Sequence, residues 1–169
     1  MFVYNESTGN FDLYYHLAGK DITLSCLHLD EKKNLWMGTT SNGLYCLSGD
    51  KKISQPVTRG NIASIYEDSS KELWICTWEE GLYRIKTDST IENFRHDPKN
   101  PNSICTDFVR SCCEDNAGNL WIGTFHGLNR YEKSTGKFQL YTANANKPDG
   151  LTHLSLIHIS EPTRHAQIS

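Results

Sequence analysis

The sequence predicts an all-β fold, a partial β-propeller of about three complete four-stranded antiparallel blades with the outer part of another blade before them. Two observations predict it. A string recurs three times in fixed order: an Asp, five residues, a Trp, then a Thr, a short polar gap and Gly-Leu. Around each copy, short runs with apolar members alternate with polar turn segments, the signature of a strand meander. Self-similarity at about 40–50 residues marks a repeat architecture in which each unit is one supersecondary piece.

The copies run Asp30, Trp36, Gly38, Thr39, Gly43; Asp68, Trp74, Thr77, Gly81; and Asp115, Trp121, Gly123, Thr124, Gly127. The first strand of each unit is expected before the Asp. Leu24, Ile62 and Val109 stand six residues ahead of it, and Leu27, Ile65 and Cys112 three ahead. The Asp opens a hairpin turn, since its carboxylate can accept amides two residues on, and Asn34 or Gly118 tolerates positive φ. The Leu-Trp-x-Gly-Thr run is the second strand. A tight turn leads to the third, Gly43–Leu47, Gly81–Ile85 and Gly127–Tyr131. After a polar loop the fourth follows at Ile53–Val57, Ile91–Arg95 and Phe138–Tyr141. Four antiparallel strands per unit of this length make a propeller blade.

The organisation expected is residues 1–20 as the end of a preceding blade, blades at 21–58, 59–104 and 105–146, and the start of another at 147–153. Tyr4–Phe11 parallels Tyr131–Phe138, which supports the first assignment. Residues Leu154–Arg164 (LSLIHISEPTR) resemble a translated sequencing-library adapter, so 154–169 is expected to be a non-native tail. A propeller closes with about four to eight blades, so the chain reads as a fragment. Its open faces are expected to promote self-association.

A blade cannot bury both faces alone, so the recurring Trp is expected to fill the gap to the next blade. Recurrence in every unit argues for packing over catalysis. Gly38 and Gly123 are expected to allow close blade approach or a bulge, with Cys76 in that column of the middle unit. The six cysteines fit neither a Cys-x-x-Cys pattern nor a zinc pattern and read as small hydrophobes in strands. A net charge of −3 disfavours a nucleic-acid or anionic-membrane binder, which carries a basic face. No run is long and apolar enough for a membrane span.

These repeats resemble the two-component regulator propeller family. The stretch Phe94–Ile104, with its His-Asp-Pro-x-Asn-Pro-Asn-Ser-Ile string, carries the likeness between blades. The resemblance covers Met1 to about Leu151. It implies the extracytoplasmic sensor part of a hybrid histidine kinase, periplasmic in an inner-membrane protein. Such a parent chain would act as a homodimer and feed a phosphorelay that regulates transcription. No catalytic residue, metal or cofactor is expected in this segment, and none of the later kinase modules.

Ligands usually meet propellers where the second-to-third turns and the blade connections cluster. Trp78, Glu79 and Glu80 in one such turn could stack on a sugar and bond its hydroxyls; the next turn offers Phe125 and His126. The connections supply Arg59, Arg95, His96 and Arg110, which could bind an anionic saccharide or neutralise Asp97, Asp107 and Glu67. The leading expectation is an oligosaccharide sensor. The alternatives are a protein-interaction platform and, less favoured, a propeller lyase or hydrolase.

Overall fold

The structure, a computed structural model, describes residues 2–5, 7–8, 10–13, 22–48, 53–54 and 57–142. The expected fourth-blade start at 147–153 and the tail at 154–169 lie outside the described residues. Fourteen strands form four antiparallel sheets among the described residues. β1 (Phe2–Asn5) and β2 (Asn10–Leu13) make a hairpin. The first four-stranded sheet holds β3 (Leu24–Leu29), β4 (Leu35–Thr39), β5 (Leu44–Leu47) and β6 (Ile53–Ser54). The second holds β7 (Ile62–Glu67), β8 (Leu73–Thr77), β9 (Leu82–Ile85) and β10 (Ile91–Phe94). The third holds β11 (Val109–Glu114), β12 (Leu120–Thr124), β13 (Gly127–Glu132) and β14 (Lys137–Tyr141).

Each sheet is a simple up-and-down meander in sequence order, as expected for propeller blades. The first strands β3, β7 and β11 lie side by side, so the blades converge along that edge. The β1–β2 pairing matches Tyr4 with Phe11 as β13–β14 matches Tyr131 with Phe138, the same register 127 residues apart.

The indoles sit where packing between blades requires them. Trp36 clusters with Leu44 and Cys46 of its own sheet and with Ile62, Leu73 and Ile75 of the next. Trp74, fully buried, clusters with Leu120, Ile122, Tyr131 and Phe138 of the third sheet. Trp121 is half-buried and packs against Tyr141 at 5.4 Å between ring centroids. Gly38 serves close approach: a Cβ there would lie 2.4 Å from Cys26 Sγ and 2.7 Å from Ile62 Cγ2 on the adjacent blade. A register shift in each first strand, at Leu24/Cys26, Ile62/Ser64 and Val109/Ser111, marks a β-bulge opposite that column.

The Asp column does more than cap a turn. In each unit the Asp Oδ2 accepts the indole N–H of the Trp six residues on, at 2.9, 2.9 and 2.8 Å. Its Oδ1 accepts turn amides, as from Ser70 and Glu72 to Asp68 at 2.9 and 3.0 Å. A buried indole N–H needs such a partner, and the carboxylate supplies it while ending the strand. The left-handed turn residue is Lys33 (φ 66°), Lys71 (φ 64°) or Gly118 (φ 80°). Asn34 was expected to adopt positive φ in the first unit and does not: its amide N–H and side chain both bond Asp30, so the preceding residue makes the turn.

No disulfide joins the cysteines among the described residues, and Cys76 Sγ lies 3.6 Å from Cys112 Sγ across the second and third sheets. The contact to Cys76 and burial push the Cys112 thiol well above its ordinary pKa, so it stays protonated.

Candidate functional site

The meander puts the Asp turns on one face of the array and the second-to-third turns with the blade connections on the other. The recurring Thr builds that second face. Thr39, Thr77 and Thr124 are buried and donate Oγ1–H to the carbonyls of Gly43, Gly81 and Gly127 at 2.8, 2.6 and 2.8 Å. Each Oγ1 also accepts an amide within the turn, from Asn42, Glu80 or His126. The next residue then bonds back to the start of the first strand: Thr40 N–H to Thr23 O, Trp78 N–H to Asn61 O and Phe125 N–H to Phe108 O, at 3.0, 3.1 and 3.2 Å. Gly81, at φ +78°, lies so near the outer strand that a Cβ would stand 2.2 Å from Phe94 O. These bonds set the side chain after each Thr at the rim of the face.

In two neighbouring blades that side chain is aromatic, and the rings meet. Trp78 and Phe125 lie 5.6 Å apart between centroids, tilted by 54°. Phe108, which precedes the first strand of the third blade, stands edge-on to Phe125 at 6.0 Å. The Arg110 guanidinium carbon sits 5.1 Å from the Trp78 ring centre and 5.5 Å from that of Phe125. Phe125 is 55% exposed and Phe108 42%. Two rings of this size left open to water, beside a cation, form an aromatic and cationic shelf.

The remaining expected residues have other partners. Arg95 donates through Nε and Nη2 to Asp107 Oδ2, at 3.1 and 2.8 Å, and through Nη2 to Glu79 O at 3.0 Å. That hydrogen-bonded carboxylate raises the Arg95 pKa. The His96 amide donates to Asp107 Oδ1 at 2.7 Å, and its Nδ1 lies 2.9 Å from Ile104 O. Both side chains therefore brace the connection that follows β10. Within it the Ser103 hydroxyl accepts the Asp97 amide and donates to the Asp97 carbonyl, Asn102 O accepts the Phe138 amide of β14, and buried Ile104 plugs the core. Glu80 receives the Thr58 hydroxyl and, at 3.2 Å, the Tyr83 hydroxyl; burial and the Glu80 charge raise the Tyr83 pKa. Glu79 and His126 are exposed on the two turns.

Phe108 was not anticipated, because it belongs to no repeated motif; its column, shared with Thr23 and Asn61, becomes visible only once the cross-strand bond is known. Arg110 was anticipated as a connection cation. Its place over two rings follows from the bulge in β11, where it is the extra residue between the paired Val109 and Ser111.

On the opposite face, Lys133 joins two blades. Its Nζ lies 2.9 Å from Asp68 Oδ2 and 2.8 Å from Glu114 Oε1, and Glu114 also accepts the Ser69 amide and hydroxyl. Burial opposes ionisation of Asp68, yet the Trp74 indole and Lys133 outweigh it and hold the carboxyl below its ordinary pKa. Among the described residues no three His, Cys, Asp or Glu side chains come together as a metal site.

Residues 57–79 and 103–126 are matched by the family model for the two component regulator propeller. They cover β7–β8 and β11–β12, each with its Asp turn and ending at the rim of the shelf. Among solved structures, the chain is similar to the extracellular domain of a protein from B. thetaiotaomicron described as a hybrid two component system, at 20% identity and a TM-score of 0.65. The match covers 73% of this chain and 19% of that one. A second such extracellular domain from B. thetaiotaomicron is similar at 25% identity and a TM-score of 0.60, over 75% of this chain and 18% of that one. Virginiamycin B lyase from Staphylococcus aureus shares the fold at 19% identity and a TM-score of 0.61, over 80% and 45%. No curated protein sequence matches the chain. The chain thus spans about a fifth of the two extracellular domains and under half of the lyase.

Proposed function

We propose that these blades are a non-catalytic part of a propeller sensor lying outside the cytoplasm. In this reading they sit on the periplasmic side of an inner-membrane hybrid histidine kinase that works as a homodimer. Ligand occupancy would bias the dimer between two arrangements and so feed a phosphorelay controlling transcription; only a ligand with unequal affinity for the two arrangements can signal. The regulator propeller repeats and the likeness to extracellular domains of two-component systems support the sensor assignment.

The ligand in this reading is an oligosaccharide held at the rim shelf of Trp78, Phe125 and their neighbours, with Glu79 and His126 within the same turns for hydroxyl contacts. The observation that carries it is the ring pair of half-buried Trp78 and exposed Phe125, held by recurring Thr bonds on one face of adjacent blades. Apolar ring area with convergent polar groups is the chemistry a pyranose face requires. Calorimetry of the full-length protein against a broad oligosaccharide panel tests it. Binding that falls about tenfold in Trp78→Ala, the loss of roughly 1.4 kcal/mol, is the expected result. A panel with no binder retires the saccharide, and binding indifferent to Trp78→Ala moves the site elsewhere.

A further inference from the structure

We propose that Arg110 is a specificity residue for acid groups: the saccharide bound at the shelf is an acidic one, and its carboxylate or sulfate pairs with this guanidinium. The inference rests on the sensor reading above and deepens it. Arg84 and Arg95, the comparison arginines, are each committed to carboxylates, Arg84 to Glu92 and Glu72 and Arg95 to Asp107. Arg110 is exposed, and its guanidinium lies over the faces of Trp78 and Phe125.

The Arg110 guanidinium carbon lies over both rings, 5.1 Å from the Trp78 centre and 5.5 Å from the Phe125 centre. Ring faces attract the cation without taking up its hydrogen-bonding fork, the part that matches an oxyanion in bidentate fashion. A fork already held in place loses less freedom on binding than a free side chain does. The acids nearby do not compete. Asp107 is taken by Arg95 and the His96 amide, and Glu80 by Thr58 and Tyr83. Glu79, on the Trp78 turn, is exposed and makes its contact with Arg95 through its carbonyl. The exposed edges of Phe108 and Phe125 provide an apolar wall for the sugar ring beside the charge.

Calorimetry of the full-length protein with three size-matched oligosaccharides tests the inference: galacturonate, sulfated galactose and neutral galactose. At least one acidic series is expected to bind about tenfold tighter than the neutral one, the scale of a charge-assisted hydrogen bond. Arg110→Gln should abolish that preference while leaving the melting temperature unchanged, and Arg110→Lys should restore only part of it, since an ammonium keeps the charge and loses the fork. Which acidic series responds tells carboxylate from sulfate. Equal binding of acidic and neutral sugars, or a preference that survives Arg110→Gln, overturns this inference and leaves the sensor reading standing. No binding by any saccharide overturns both.

Discussion

Between the first and second sheets, Trp36 meets Ile62, Leu73 and Ile75; between the second and third, Trp74 meets Tyr131, Phe138 and the Ile104 plug. The columns are the same, and the closing chemistry differs. Ile85 and Tyr131 each pair with the Leu before the motif Trp, so Thr87 stands where the next blade has Lys133. Asp30 and Glu67 correspond likewise to Asp68 and Glu114. At the second seam Lys133 bonds both acids. At the first, an opening of about 270 Å³ remains, lined among others by Asp30, Glu67, Trp36 and Thr87. Glu67 there is 3.6 Å from His28 Nε2, within ion-pair reach yet too long for a hydrogen bond, and the His28 nitrogen has no hydrogen-bond partner. The second seam also holds the Arg84 guanidinium over Trp74, Phe94 and Tyr131, with Glu92 and Glu72 as its acids. One repeat thus yields a greasy seam with an open polar end and a seam that is aromatic and latched. The repeat supplies the shared wedge, and the residues outside it decide how tightly each seam shuts.

The largest test of that contrast is indole removal. Trp74→Ala should cost about 3–5 kcal/mol in denaturant unfolding, because a fully buried side chain is lost and Asp68 loses its donor. Trp36→Ala should cost somewhat less, and Trp121→Ala the least, since Trp121 is only half-buried. Equal losses at Trp121 and Trp74 in the full-length protein would mean that a further blade covers Trp121.

Breaking the latch comes next. Lys133→Met strands the buried Asp68 carboxylate and should destabilise by about 1–2 kcal/mol, discounted because Lys133 is itself about a quarter exposed. An unchanged midpoint would show the latch to be ornamental. The latch also sets a pH signature. Asp30, Asp68 and Glu114 are held below their ordinary pKa values despite burial, and the Trp121 indole and Asn119 lower Asp115 to about 2. Depressed carboxyls stabilise above the unfolded value, about 4, and that stability drains as pH falls toward the folded values. Lys133 is raised by Glu114 and Asp68 although burial works against it, so its share is whole below about 10.4 and is lost as pH climbs through the higher folded value. Melting temperature against pH should fall at both ends, with the alkaline fall missing in Lys133→Met.

Two smaller substitutions would sharpen the comparison. Lys71→Gly relieves a left-handed backbone and should stabilise by about 0.5 kcal/mol after the added chain entropy is counted, whereas Gly118→Ala should cost about 1 kcal/mol. Thr87→Lys places a cation at the position in the first seam that Lys133 holds in the second, and should add about 0.5 kcal/mol, measurable as a shift in the urea midpoint. No gain would mean that the two seams differ in backbone spacing as well as in side chain.

The blade count, the strand order and the wedge role of Trp36 and Trp74 were legible because they are periodic: a residue needed in every blade writes itself into every repeat. The bond from each Asp to the indole six residues later was not, since neither turn chemistry nor spacing says that a strand end folds back under its own Trp. The sequence left Arg95 and His96 open between an anionic ligand and a nearby acid such as Asp107, and the structure pairs Arg95 with Asp107. Their connection curls upon Asp97, Ser103 and Asp107, and a loop's own hydrogen bonds cannot be read from composition. Lys33 in place of Asn34 as the left-handed residue is a choice made by the Asp30 hydrogen bonds. For this protein the amino-acid pattern by itself determined the architecture, because the Asp, Trp, Thr and Gly columns that build each blade repeat along the chain. Only the tertiary structure decided which side chains remain unspent at the rim, because that depends on neighbours brought together from different blades.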